Sequence, residues 1–250
     1  RDCRQIEQSL QRPMSKWQKL KHRIHMATSA PWFITVEKDL ARIGIKNPAI
    51  VFDVGAHHGQ TTLHFRKIFP SAHIHSFEPA PGNFSELKSN TKGKDRVKSN
   101  ELALGSSRGS VSMESGHSDQ AHKVCSDPEN GGIPGVRMET IDFYMNKERI
   151  SCIDLLKIDV EGYELEVLRG AANAIESSNI KVILAECDFN PEDTQHTYFN
   201  DLWNYLRSKD FSFFGLYDVI HYEGLSGIGY CNALFIERTV SLAATNPTQD

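Results

Sequence analysis

Ile50-Val51-Phe52-Asp53-Val54-Gly55-Ala56-His57-His58-Gly59-Gln60-Thr61 and, downstream, Ser76-Phe77-Glu78-Pro79 decide how this chain is read. A near-continuous apolar run ends in an acid and a glycine. A helical segment from Gln60 to Phe69 follows, closed by Pro70, and a second apolar run from Ala72 ends in a second acid. Unbroken apolar runs suit strands covered on both faces, as in parallel sheets. Strand, glycine-bearing loop, helix and strand predict a nucleotide-type half-site, because open parallel sheets bind ligands beyond the carboxyl ends of their strands.

The alternation continues outward. Pro81–Thr91 reads as a helix with proline in its first turn, and Val97–Leu104 as a third strand closed by Gly105. Ser110–Glu114 is a candidate hairpin extension, and polar, glycine-rich 115–137 reads as a loop. A short helix over Thr140–Lys147 precedes the fourth strand, Ile153–Val160. Tyr163–Glu176 reads as a helix, Ile180–Glu186 as the fifth strand and Thr197–Ser208 as an amphipathic helix. Phe211–Tyr217 and Gly229–Ile236, joined by a short polar link, complete the set of seven strands. The expected fold is α/β: a doubly wound, mostly parallel sheet with an antiparallel strand at one edge. Residues 1–47 are expected to form a helical appendage, 48–238 the main domain and 239–250 a polar tail.

With 250 residues, 39% hydrophobic and 24% charged, the chain is long enough to bury a full core. No apolar run approaches a bilayer-spanning length, and no signal-like apolar segment stands near Arg1, which is not an initiator Met. The five cysteines lack zinc-site spacing; Cys152 and Cys187 read as buried hydrophobes, and a reducing cytoplasm fits best. Net charge is −4, yet residues 1–25 hold seven basic and two acidic side chains. The remainder is therefore acidic, which argues against a nucleic-acid surface. Met14, Trp17, Leu20 and Ile24 form an apolar helical stripe beside Lys16, Lys19, Lys21 and Arg23. That helix packs on the domain, or serves as a homo-oligomer contact or a peripheral membrane contact. Pro31-Trp32-Phe33 starts a second helix, to Ile43.

Gly55 and Gly59 permit close backbone approach by a ligand, and the helix after them aims its N–H groups at the same space. The loop lacks the G-x-G spacing of a dinucleotide site, and Asp53 would repel a diphosphate. A carboxylate there suits S-adenosylmethionine, which carries an ammonium and a sulfonium. Glu78 is placed to accept the ribose hydroxyls.

Five stretches carry a family resemblance. Val51 to Thr61 resembles the first motif of FkbM-type methyltransferases, and Ser76-Phe77-Glu78-Pro79 their second. Glu101-Leu102-Ala103-Leu104-Gly105 and Ile183-Leu184-Ala185-Glu186 are similar to the ends of their third and fifth strands. Most specific is Asp154-Leu155-Leu156-Lys157-Ile158-Asp159-Val160-Glu161-Gly162-Tyr163-Glu164, continuing to Ala171. The resemblance covers roughly residues 49–190. It implies a class I, Rossmann-like methyltransferase fold, S-adenosylmethionine as cofactor, and methyl transfer, usually to a hydroxyl of a sugar or secondary metabolite. The implied cofactor set is Asp53, Gly55, Ala56, His57, Gly59, Thr61, Glu78, Pro79 and Ala103, with Asp119 facing the adenine. His57 and His58 depart from the small or polar residues expected there; a core or loop role is favoured over catalysis.

Methyl transfer to oxygen needs positioning, exclusion of water and a base within reach. Asp159 is the expected base, supported by Glu161, the two sharing a face on extended backbone; the alternative has Glu161 capping a helix from Gly162. Lys157, in an apolar strand, must be paired or lose its proton. It either partners Asp53 or Glu186, or aids deprotonation of the acceptor. Asp159, Glu186 and Asp188, with Asn190, would suit a divalent metal, although no metal is the favoured reading. His75, His117 and His122 read as surface or structural. The 115–137 loop is a candidate substrate lid. The expected partner is a small-molecule, sugar or glycolipid acceptor. The rivals are a nitrogen or carboxylate acceptor, a catalytically inactive adenosyl-binding module, and an oligomeric scaffold.

Overall fold

The computed structural model describes residues 32–115, 122–125, 133–193, 195–221 and 228–240. The stripe from Met14 to Ile24 and the tail from 241 lie outside them.

The apolar runs become central strands. In β1 (Ile50–Val54) every position after the first is buried. β2 is His73–Phe77, β3 Val97–Asn100, and parallel pairing runs β3–β2–β1. β4 (Ala103–Leu104), β5 (Gly109–Ser115), β6 (His122–Cys125) and β7 (Ile133–Glu139) form a second, four-stranded sheet in the order β4-β7-β5-β6. β8 (Ile153–Ile158) is buried at all six positions and pairs in parallel with β1 and with β9 (Ile180–Asp188). β10 (Phe211–Tyr217) and β11 (Tyr230–Glu237) complete the main sheet, ordered β10-β11-β9-β8-β1-β2-β3.

The antiparallel edge is present, and its arrangement has a physical reason. β11 runs antiparallel to both β9 and β10 and lies between them. Seven of its eight positions are buried, so it takes the interior place. β10 exposes Phe213 and Phe214 and takes the edge.

Helices cover both faces, and strand alternation assigns the side chains. Val51, Leu155 and Val182 point to the face covered by α1 (Trp32–Arg42) and α2 (Gln60–Ile68), which contribute Val36, Leu40 and Phe65. Phe52, Leu156 and Ile183 point to the other face. There α4 (Ile141–Glu148), α5 (Glu164–Arg169), α6 (Ala172–Glu176) and α7 (Phe199–Arg207) contribute Tyr144, Leu168, Ile175 and Leu202. α3 (Pro81–Asn90) follows β2. Among the described residues, no helix is long and apolar enough to cross a membrane.

Three expectations need correction. The third strand divides: β3 stays in the main sheet and β4 leaves it to pair with β7. The 115–137 segment is not all loop, because β6 and most of β7 lie within it. Met113, Val136 and Met138 close a small core there with Ala103, a cross-strand pattern that the segment's glycines and prolines obscure. The helix expected over Tyr163–Glu176 breaks into α5 and α6. At Gly170 a Cβ would overlap the Gly105 carbonyl oxygen, so the chain passes closely there.

Candidate functional site

The carboxyl ends of β1, β2 and β8 open into a cavity of about 440 Å³. The β1–α2 loop forms one wall. Gly55 N–H and Ala56 N–H both donate to the Phe77 carbonyl, at 3.0 and 2.9 Å, tying the loop to the end of β2. Gly55, His57 and Gly59 all adopt left-handed backbone. The glycines also have a packing reason. A Cβ on Gly55, which lines the cavity, would overlap the Asp159 carbonyl oxygen, so the glycine lets β1 and β8 close together. A Cβ on Gly59 would lie 2.8 Å from Leu87 Cδ1 of α3, and Gly59 does not line the cavity.

Glu78 is buried at the cavity wall. Its carboxylate accepts the backbone N–H of His57 at 2.8 Å and of Ala80 at 3.0 Å. A carboxylate has about four acceptor positions, so these bonds orient it. Ala56, His57 and Thr61 line the wall beside it, with Pro79 and Ala103. The rings of His57 and His58 stack at 3.7 Å. His58 turns outward to Asn83 Oδ1 (3.2 Å) and Glu86 (3.3 Å) on α3. His57 faces the cavity, its Nε2 buried without a hydrogen-bond partner, and burial followed by the nearby His58 lowers its pKa. Asp119 and His117 lie outside the described residues. His75 is structural, its Nδ1 2.9 Å from the Tyr144 hydroxyl.

Asp53 does not reach the cavity, which corrects its expected part as a ligand-facing charge. It is fully buried beneath the floor; its Oδ2 accepts the Thr62 hydroxyl at 2.6 Å, and its Oδ1 faces Lys157 Nζ at 3.5 Å. Lys157 Nζ also lies 3.1 Å from Asp159 Oδ2 and donates to the Gly55 carbonyl at 3.4 Å. Burial alone would lower the lysine's pKa, but Asp159 and Asp53 overcome it and hold the ammonium well above its ordinary value. Lys157 thus partners Asp53, one of the two acids expected for it, and Asp159 as well.

Asp159 and Glu161 both line the cavity, though not by sharing a strand face: β8 ends at Ile158, and Glu161 and Gly162 are left-handed. Asp159 keeps its side chain 36% exposed. Burial, then repulsion from Asp159, raises the Glu161 pKa. The helix cap considered for Glu161 is not formed: α5 begins at Glu164 with no side-chain cap, and Glu164 Oε1 instead holds the loop before it, accepting Val160 N–H at 2.9 Å and Gly162 N–H at 3.3 Å.

The expected metal set of Asp159, Glu186 and Asp188 does not assemble. Asp188 is tied to the next turn, accepting the Asn190 N–H, while Asn190 Oδ1 accepts Glu192 N–H at 3.1 Å. The acidic groups instead gather round His196, as Glu161–Glu186–His196 and as Asp188–Asp193–His196, each with ligand atoms within 4.8 Å of one another. His196 carries no motif that would mark it in the sequence. Leu102, Leu104, Met113 and Tyr163, also unforeseen in this role, add an apolar wall to the cavity. Met113 and Tyr163 arrive through the second sheet and its contacts.

The comparisons with known proteins agree with this geometry. A family model described as the methyltransferase FkbM domain matches residues 53–213. The hexuronic acid methyltransferase AglP of Haloferax volcanii is 28% identical over 166 residues, 63% of this chain and 65% of the relative. Methyltransferase 1 of Beauveria bassiana is 27% identical over 162 residues, 56% of this chain and 65% of the relative. The matches thus span slightly less than two thirds of either relative. Among solved structures, magnesium protoporphyrin IX methyltransferase from Synechocystis PCC 6803 aligns with a TM-score of 0.51 at 11% identity, covering 90% of this chain and 86% of that one. That likeness is one of fold, the class I methyltransferase arrangement.

Proposed function

Since the chain belongs to the FkbM methyltransferase family, we propose that it is an S-adenosylmethionine-dependent O-methyltransferase whose acceptor is a sugar hydroxyl in a glycan, glycolipid or secondary metabolite. The observation that carries this reading is the cavity itself. Glu78, held by two backbone N–H groups, and Asp159, held by Lys157, face one space of adequate size for a nucleoside ligand.

The residues present fit that cofactor. Glu78 supplies oriented acceptors for a ribose diol, and Leu102, Leu104 and Met113 supply an apolar surface for a base. Glu78, Asp159 and Glu161 outnumber Lys157 in the lining, which favours a cationic ligand and disfavours a diphosphate. Asp53 takes no direct part in that preference, being neutralised by Lys157 below the floor.

When bound, the cofactor supplies an electrophilic methyl group on a sulfonium. Asp159 is the acceptor-side carboxylate: it would orient the hydroxyl and accept its proton during methyl transfer. Lys157 holds that carboxylate in place. The relative AglP, a hexuronic acid methyltransferase, supports a sugar-class acceptor, one that carries hydroxyls and a carboxylate alike.

Calorimetry with S-adenosylhomocysteine and turnover on carbohydrate fractions test the reading. Glu78→Ala is expected to weaken binding by about 1–3 kcal/mol, the worth of charge-assisted hydrogen bonds. Asp159→Asn is expected to lower turnover more than binding. Tight binding of NAD with no affinity for S-adenosylmethionine or its demethylated product would refute the proposal. Label transfer to amines or carboxylates, and not to sugars, would refute the acceptor class.

A further inference from the structure

We infer that Glu161, Glu186 and His196 hold a divalent cation at the acceptor side of the cavity, with Asp193 orienting the imidazole. The starting point is His196, in the segment between β9 and α7. Its ring stacks on Tyr230 of β11 at 4.8 Å and 10°, and its side chain is 8% exposed. Its Nδ1 lies 3.4 Å from Asp193 Oδ2. Asp193 is itself anchored, its Oδ1 accepting Gln195 N–H and His196 N–H at 2.5 and 3.1 Å. On the other side of the ring, Nε2 lies 3.9 Å from Glu186 Oε2, so the imidazole stands between two carboxylates.

Glu186 closes the other side of the ring. The residue is nine-tenths buried, its carboxylate meets those of Asp159 and Glu161, and no lysine or arginine among the described residues pairs with it. Lys157 is already engaged by Asp53, Asp159 and the Gly55 carbonyl. A second observation marks the same corner as short of positive charge. Asp188 is fully buried, belongs with Asp193 and His196 to the neighbouring three-ligand set, and its Oδ2 has no hydrogen-bond partner.

The geometry suits an ion. The ligand atoms of Glu161, Glu186 and His196 lie within 4.8 Å of one another. Oxygen and nitrogen ligands at about 2.0–2.2 Å from a shared ion stand at most about 4.4 Å apart, so small rotamer changes close the set. Two carboxylates and one imidazole favour a first-row transition ion such as Zn²⁺ or Mn²⁺ over Ca²⁺ or Mg²⁺. A carboxylate behind a ligating histidine is the usual outer partner. Glu161 lines the cavity, so an ion held there would stand at its edge. There it would polarise the acceptor hydroxyl and ease loss of its proton to Asp159. That catalytic use rests on the methyl-transfer reading; the binding of the ion does not.

The full chain, stripped with chelator and dialysed, is titrated with Mn²⁺ by electron paramagnetic resonance and with Zn²⁺ by calorimetry. Circular dichroism checks the fold, and S-adenosylhomocysteine is titrated separately. Stoichiometric binding is expected, weakened at least about tenfold by His196→Ala, Glu186→Gln or the loop variant Glu161→Gln, and about tenfold by Asp193→Asn. Asp188→Asn should leave it within about threefold, a far smaller loss than removing a ligand or its outer partner brings. Absence of binding by folded wild type, equal binding by the folded variants, or loss confined to Asp188→Asn would overturn the inference. Retained S-adenosylhomocysteine binding without metal affinity sinks this proposal alone. Metal affinity without S-adenosylhomocysteine binding supports it and sinks the transfer reading instead.

Discussion

Lys157→Met removes the cation under the cavity floor while nearly conserving side-chain volume. In the wild type, Lys157 is 3% exposed and Asp53 0%, with 3.5 Å between Nζ and Oδ1. The substitution leaves Asp53 buried with only the Thr62 hydroxyl for company, and frees Asp159 from its 3.1 Å partner. Breaking a buried pair by deleting one partner costs about 3–5 kcal/mol, because the remaining charge is uncompensated. Asp159 is a third exposed and adds little, since water screens it. For a chain of this size the loss corresponds to a fall in Tm of roughly 6–20 °C. Urea unfolding at neutral pH, read by circular dichroism, measures it. The double variant Asp53→Asn/Lys157→Met should recover at least half of the loss, because asparagine can still accept the Thr62 hydroxyl. The cost should also be flat with pH across the neutral range. The lysine's folded pKa is raised, so its stabilisation is complete below the ordinary lysine value and fades only as pH climbs through the raised one. A single-variant loss below about 1 kcal/mol, the range of an exposed pair, or a double variant no better than the single, would refute the buried-pair account.

Two further perturbations probe the scaffold. Gly55→Ala must accept both left-handed backbone and an overlap with the Asp159 carbonyl, and is expected to cost about 2–6 kcal/mol. Gly44→Ala, equally left-handed but with nothing within 4 Å of the new Cβ, should cost only about 1–2 kcal/mol; equal losses in denaturant midpoints would show that crowding at Gly55 is unimportant. Burial lowers the His75 pKa to about 4. The unfolded chain therefore binds a proton first as pH falls, so stability is full above about 6.5 and declines between there and about 4, by up to about 3 kcal/mol. An NMR titration of the His75 ring should show it neutral at pH 5.5, and a midpoint near 6.5 would contradict this.

Local pattern was enough for much of the molecule. Apolar runs marked β1, β2, β8 and β9, and proline and glycine marked the limits of α2 and α3, because these depend on neighbours in the chain and on backbone rules. The cavity wall was legible for the same reason. Gly55, Ala56, His57 and Thr61 follow one strand end, Glu78 and Pro79 another, and Asp159 and Glu161 a third, and a parallel sheet brings those ends together. Side-chain direction was less legible. Asp53 and Glu78 look alike as acids closing strands, yet one is sealed under the floor by Lys157 and the other faces the cavity.

What the amino-acid order determined by itself was the strand–helix alternation, the glycine loop and the acids at the strand ends, since periodicity and steric permission act over a few residues. What only the tertiary structure decided was pairing across distance. Lys157 meets Gly55 from 102 positions away, β11 enters between β9 and β10, β4 leaves its strand to join a second sheet, and His196 meets Glu161 and Glu186. Those contacts form between segments that chain folding alone makes neighbours, and there burial and charge compensation, rather than local propensity, choose the partner.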